Sequence, residues 1–227
     1  MSRREAPEQA RTDVEIEREY GPFPGVAQVN GVTFDGEQVW FAAGKQLHAF
    51  APANGEATRA LELTCDAGTA FDGTYFYQLA ADRIQKVDPH TGTIVSTIPA
   101  PRAGRNSGLA WAEGSLWVGA HDERAIIRID AQTGEILSTV SSNRFVTGVS
   151  FCDGELWHAT GSECTDELEG ARSEIRRLDP NTGEVLERLA LPAGLIVSGL
   201  ESDGKDRFFC GGGKSGTVRV VKRPKRR

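Results

Sequence analysis

An Asp-Gly or Glu-Gly pair returns about every 40 residues along this chain, the spacing of a repeat whose units stack on one another. The pairs are Asp35-Gly36, Asp72-Gly73, Glu113-Gly114, Asp153-Gly154 and Asp203-Gly204. Between them runs a second series of turns: Asn54-Gly55, Thr91-Gly92, Thr133-Gly134 and Thr182-Gly183. Each unit reads as a short apolar strand, a turn, an aromatic-rich strand, a basic strand, a second turn and a last apolar strand. In the second unit these are Ala67–Phe71, Tyr75–Leu79, Arg83–Asp88 and Thr93–Ile98. Glycine supplies the positive φ of such hairpins, and Asp or Asn bonds the neighbouring backbone. Arg83-Ile84-Gln85-Lys86-Val87-Asp88 alternates apolar and polar residues, so one face is buried and one is wet. Four strands per unit at this period predict an all-β, five-bladed β-propeller with four antiparallel strands per blade. Two stacked sheets in a sandwich are the competing architecture.

The fifth unit lacks its outer strand. Residues 197–200, 206–211 and 217–222 supply three strands, and only a tail follows. The alternating stretch Asp13-Val14-Glu15-Ile16-Glu17-Arg18-Glu19-Tyr20 lies before the first unit and has no blade of its own. Placed as the outer strand of the last blade, it joins the chain ends and removes an open edge that invites aggregation. The expected organisation is a flexible segment at 1–12, one propeller over 13–222, and a basic tail at 223–227.

Composition narrows the function classes. Hydrophobic residues make up 39% of the chain, and no apolar run approaches the ~20 residues of a membrane span. The first 18 residues are charged throughout and have no secretory apolar core, which predicts a cytoplasmic location. The four cysteines, Cys65, Cys152, Cys164 and Cys210, form no CxxC pair and read as free thiols. Net charge is −6, and the basic last six residues conceal a body at −11. An acidic body repels phosphates, so neither nucleic acid nor membrane is an expected partner, and the chain is expected to be a monomer.

In a propeller of this connectivity the Asp-Gly and Thr-Gly hairpins share one face. The loops leading into the inner strands, and those after the second strands, share the other, and the polar residues gather there. The first set contributes Asn30, Asp66, Asn106, Arg144, Thr147 and Ser198. The second contributes His121, His158 and a long acidic loop at 160–173 that carries Glu163 and Cys164. His121 and His158, near the ends of adjacent second strands, are expected to face one cavity. With Asp66 and Glu163 they would act as acid and base, or hold a divalent cation; the plain alternative is two polar loop-end residues. Asn30, Gln78, Asn106, Arg144, Thr147 and Ser198 would orient a ligand. Arg144 has two readings, pairing with a ligand carboxylate or with acids of the long loop. The spacings match no phosphate-binding loop, no nucleophile elbow and no HExxH zinc motif, and no resident metal or cofactor is called for.

The blade sequences resemble those of plant-type glutaminyl-peptide cyclotransferases, and more loosely streptogramin lyase-like propellers. The likeness runs through Tyr77-Gln78-Leu79 with Ile84-Gln85-Lys86-Val87-Asp88, through Ser115-Leu116-Trp117, and through Glu155-Leu156-Trp157 with Ile175-Arg176-Arg177-Leu178-Asp179-Pro180. Those cyclotransferases carry a glutamate where the chain enters its second blade. The corresponding stretch here is Asp66-Ala67-Gly68-Thr69, which leaves Asp66 as the carboxylate. The resemblance implies a small-molecule or peptide-binding enzyme of cyclotransferase, lyase or hydrolase type. A non-catalytic ligand- or protein-binding scaffold is the alternative.

Overall fold

Side chains hold the hairpins as firmly as the glycines do. Asp35 Oδ1 accepts from the backbone N–H of Glu37 and Gln38, and Asp72 Oδ1 does the same for Thr74 and Tyr75. Asp88, Asp130 and Asp179, each at the end of a third strand or directly after it, cap the Thr-Gly turns in the same way. Blades three and four use a tighter turn: Glu113-Gly114 and Asp153-Gly154 have both central residues at positive φ, the geometry that follows strand twist in two-residue loops.

The computed structural model describes residues 11–161 and 172–224. In chain order, β1 (Arg11–Asp13) and β2 (Ile16–Tyr20) precede the first blade, which is β3 (Val32–Phe34), β4 (Val39–Phe50) and β5 (Ala57–Cys65). Blade two is β6 (Thr69–Phe71), β7 (Phe76–Ala80), β8 (Arg83–Val87) and β9 (Ile94–Pro99). Blade three is β10 (Asn106–Ala112), β11 (Ser115–Ala120), β12 (Ala125–Asp130) and β13 (Ile136–Ser141). Blade four is β14 (Val146–Cys152), β15 (Glu155–Thr160), β16 (Glu174–Leu178) and β17 (Val185–Ala190). Blade five is β18 (Gly199–Ser202), β19 (Arg207–Gly211) and β20 (Val218–Lys222), completed by β2.

The closure inferred from the orphan strand is present. β2 runs antiparallel to β20, with Ile16 opposite Val221 and Tyr20 opposite Val218. Two details differ from the sequence expectation. Residues 13–20 are not one strand: the chain breaks at Val14 and Glu15. Before the break, β1 lies parallel to β17, Arg11 opposite Arg188 and Asp13 opposite Ala190, as a fifth strand of blade four. The chain start therefore ties two neighbouring blades together. In blade one, β4 is continuous yet doubles back. The rings of Phe41 and His48 stack with centroids 5.1 Å apart, although seven residues of extended chain span about 23 Å. Gly44, at φ +68°, carries the reversal.

Five apolar clusters fill the five blade interfaces. Trp40 and Phe76 join blades one and two, Leu79 and Ile127 join two and three, and Trp117 and Leu156 join three and four. Trp157 and Phe208 join four and five; Phe41 and Phe209 join five and one. An interface at every junction is the packing signature of a closed ring.

The axis is closed by backbone. A Cβ on Gly31 would fall 2.6 Å from the Ala67 carbonyl oxygen, one on Gly68 would fall 2.4 Å from the Leu109 nitrogen, and one on Gly108 would fall 2.4 Å from the Val149 nitrogen. Gly148 abuts Leu200, and Gly199 abuts Asn30 and Val32, which returns to the start. Each inner strand thus presses its glycine against the next, and only glycine permits five backbones to approach so closely.

Around this axis a second pattern repeats. The second-strand aromatics Trp40, Tyr77 and Trp117 lie under Arg59, Lys86 and Arg128 respectively, and Trp157 lies under Arg177. In blades two to four the cation is the cross-strand partner of the ring. Each such contact stabilises by ~0.5–1 kcal/mol at a partly exposed position.

Candidate functional site

The glycine ring is the floor of a cup. The residue before each glycine is Asn30, Ala67, Ser107, Thr147 or Ser198, and all five line one cavity of about 350 Å³ on the loop face. Asp66, Arg105, Asn106, His121 and Asp122 form its wall. The hydroxyls of Ser107 and Ser198 are spent on structure, donating across blade boundaries to the carbonyls of Val146 and Val29, each at 2.6 Å. Asn30 Oδ1 accepts from Gln28 Nε2 at 2.5 Å. Two buried polar atoms of the cup, Asn106 Oδ1 and Thr147 Oγ1, have no hydrogen-bond partner among the described residues. Such atoms cost roughly 1–3 kcal/mol unless water or a ligand satisfies them.

The titratable groups of the cup are ordered by local contacts. Asp66 Oδ2 accepts the Ala81 N–H at 2.8 Å, which fixes the carboxylate at the rim. His121 Nδ1 lies 2.9 Å from Asp122 Oδ1, and its ring stacks on Phe145 with centroids 4.9 Å apart. The His121 hydrogen bond holds the Asp122 carboxyl below the usual carboxylate range. A histidine held at Nδ1 by a carboxylate presents Nε2 as the working nitrogen.

Six of the ten residues expected at the site line the cup: Asn30, Asp66, Asn106, His121, Thr147 and Ser198. Glu163, like Cys164, lies outside the described residues. The other three are elsewhere. Gln78 is fully buried beneath the floor, where Nε2 donates to the carbonyls of Ala67, Gly68 and Leu79 at 3.1, 3.2 and 2.9 Å. It braces the glycine ring rather than a ligand. Arg144 follows the reading that gave it an internal partner, but the acid is Glu174, 3.6 Å away. His158 does not share a cavity with His121. It is wholly buried on the face of β15 that also carries Leu156, which packs against blade three. Burial first, and the Arg176 charge second, push its pKa down to about 3, so it stays a neutral structural ring.

Two further groups escaped the sequence reading. Glu174 is buried and binds Arg176 at 2.7 Å and Arg188 at 2.8 Å, with Arg144 beyond. Burial raises its pKa, but the hydrogen bond from Arg188 and the charge of Arg176 outweigh it, and the carboxyl ends below its ordinary range. The alternation of Glu174 and Arg176 on one strand face was the available signal. Glu201 lies on the far side of the glycine floor, two residues past Gly199, where other blades carry Thr33, Ala70, Ala110 and Ser150. It accepts from Ser150 Oγ at 2.8 Å and from the Ser202 N–H at 2.7 Å. Burial pushes its pKa up to about 7 against those bonds. Among the described residues, no group of three or more His, Cys, Asp or Glu is placed to hold a metal ion. Cys65, Cys152 and Cys210 are free thiols.

No protein-family model matches the sequence, and no curated protein is significantly similar to it. Among solved structures, the glutaminyl cyclase of Myxococcus xanthus superposes with a TM-score of 0.74 at 15% identity, over 94% of this chain and 97% of that one. A chain of the Mitotic Checkpoint Complex superposes with a TM-score of 0.57 at 13% identity, over 99% and 98% of the two chains. At such identities the likeness is one of fold: this chain is a five-bladed β-propeller, the architecture its own sheets show and one that superposes on that cyclase.

Proposed function

We propose that this propeller binds a small polar molecule or the end of a peptide in the axial cup, and that His121 performs acid–base chemistry on it. One observation carries the reading: five inner strands deliver their pre-glycine residues to a single closed-floored cavity that also holds two unsatisfied polar atoms, a carboxylate and a carboxylate-held imidazole. Beside the Arg105 cation, the cup wall carries three acceptors: Asn106 Oδ1 and the carboxylates of Asp66 and Asp122. They suit a ligand rich in N–H donors, such as an amine or a primary amide. The fold likeness supplies the first compounds to try, peptides with N-terminal glutamine. Cyclisation of such an end takes a proton from the attacking amine and returns one to the departing ammonia, a transfer that a single histidine can perform. The second reading, a binding propeller without catalysis, is favoured by the burial of His158, which leaves the cup one described imidazole where two were expected. We further propose a cytoplasmic monomer with neither nucleic acid nor membrane as partner.

The experiment is a thermal-shift and product-release series with glutaminyl peptides on the parent protein, His121→Ala and Asp66→Asn. Acid–base catalysis predicts that His121→Ala keeps ligand stabilisation but loses about 10²–10⁴ in rate. Stabilisation without any turnover by the parent selects the binding reading. Ligand shifts that survive in both variants and in Asn106→Ala place the site elsewhere.

A further inference from the structure

The hairpin face, opposite the cup, holds a larger cavity of about 830 Å³ at the seam where blade five meets blade one. Its origin is a break in the aromatic–cation pattern. Position by position, Phe209 corresponds to Tyr77, Trp117 and Trp157, because each faces the inner-strand residue two past the axial glycine. The cross-strand partners of those three rings are Lys86, Arg128 and Arg177; the partner of Phe209 is Val220. Among the described residues, no cation covers the fifth ring. Arg18, directly opposite Val220 on β2, is the nearest substitute, yet it turns aside over the Tyr20 ring and donates to the carbonyls of Pro52 and Ala53. The volume that a long basic side chain fills in the neighbouring blades is open here.

The opening has a distinct chemistry. Phe34 and Phe209, with ring centroids 5.5 Å apart, make an aromatic base, and Val220 adjoins them. Three cations and two carboxylates stand around it. Arg207 is bound by Glu17 at 2.8 Å, and Asp203 Oδ1 is occupied by the N–H groups of Lys205 and Arg207. Among the described residues, Arg18 and Lys205 are left without a carboxylate partner at the rim. The size falls within the usual 300–1,000 Å³ of small-molecule sites.

We infer that this seam is a second binding site, for a small anion with a flat apolar body, seated on Phe34 and Phe209 with its charge toward Arg18 and Lys205. The juxtaposition of an aromatic base, partly buried Phe34 against buried Phe209, with two cations that have no carboxylate partner among the described residues favours such a ligand over a cation, which would meet a net positive rim. The site is separate from the axial cup and does not depend on the reading given to it.

The test uses 8-anilinonaphthalene-1-sulfonate, a fluorescent aromatic anion, on the full chain. Saturable, single-site binding is expected. Val220→Arg restores the cation that blades two to four carry, so it fills the cavity; affinity should drop about tenfold or more, a change of one decade in Kd. Lys205→Glu alters only an exposed rim residue and reads the charge contribution without risk to folding; a severalfold loss is expected, in line with a partly exposed ion pair. The uncharged analogue N-phenyl-1-naphthylamine should bind more weakly than the sulfonate. Unchanged sulfonate binding in Val220→Arg, or equal binding of the neutral analogue, overturns the proposal. If Val220→Arg fails to fold, the result for Lys205→Glu decides: no loss of affinity there also overturns it.

Discussion

His121 and His158 sit in adjacent blades, near the ends of corresponding strands, and live in opposite environments. One stacks on Phe145 at the wall of an open cup; the other is sealed between blades three and four. Their distance from the strand tryptophan explains the difference. His158 directly follows Trp157, so it points to the opposite face of β15, where Leu156 already packs inward. His121 lies four residues past Trp117, beyond the end of β11, where the strand no longer dictates direction. The true counterpart of His158 is Val118, a core residue, and that of His121 is Gly161. Membership of one loop cluster does not make two side chains neighbours; strand parity does.

The sharpest way to break this contrast is to charge both positions. His158→Asp would bury a carboxylate whose nearest cation, Arg176, is already held by Glu174 and Asn143, and the expected loss is about 3–5 kcal/mol, a large share of an ordinary domain's stability. His121→Asp at the cup wall should cost no more than about 0.5 kcal/mol. Urea denaturation of the two variants gives the comparison directly. Similar losses at both positions would mean that the two environments do not differ as described.

The second test concerns pH, where buried His158 is opposed by Glu201. The His158 pKa is depressed in the folded state, so its stabilising contribution is complete above the unfolded value near 6.5 and is lost as pH falls toward about 3. Glu201 is raised, so its contribution is complete below the unfolded value near 4.5 and is lost as pH rises through about 7. Between about pH 4.5 and 6.5 the unfolded chain has gained one proton at the histidine and released one at the glutamate, and the two slopes cancel. Glu201→Gln removes one side of that balance and can still accept from Ser150 and Ser202. Its stability should climb with pH across this window, and at pH 8 it should exceed the parent by on the order of 2 kcal/mol. Denaturation midpoints at pH 5, 6.5 and 8 check this; a Glu201→Gln variant that keeps the parent's flat profile would remove Glu201 from the account.

What the chain disclosed before its structure follows the same division. Turns, aromatic strands and the unfinished fifth unit are local signals, and the pairing of β2 with β20 could be inferred by counting strands. The parallel addition of β1 could not, since Arg11-Thr12-Asp13 has no apolar alternation and gains its place only from the edge that β17 offers. At the site, Asn30, Thr147 and Ser198, three of the five residues just before the axial glycines, were legible because their loops converge, whereas Ala67 and Ser107 became site residues only with the cup itself. Gln78 misled because a buried amide and a ligand-binding amide look alike in sequence; only the carbonyls of Ala67, Gly68 and Leu79 around it decide. The glycine ring itself was in plain view at Gly31, Gly68, Gly108, Gly148 and Gly199, but its meaning requires the distances between strands far apart in the chain.

The smallest effect probes what satisfies His158 in its dry position. Nδ1 lies 3.2 Å from the Ala159 carbonyl, which can only accept, so Nδ1 carries the hydrogen. Nε2 is then an acceptor, and the group facing it is the Ser142 hydroxyl at 3.5 Å, the outer limit of a hydrogen bond. Ser142→Ala would leave Nε2 without a donor and would also remove the acceptor for the Arg144 N–H at 3.2 Å. A contact so long contributes little by itself, so the expected cost is the burial of an orphaned nitrogen, about 1 kcal/mol. That is well below the His158→Asp loss, and the two should not add, because both act through one ring. A double variant that loses the sum of the two single effects would show that Ser142 serves the 142–144 loop alone, with the imidazole held by packing.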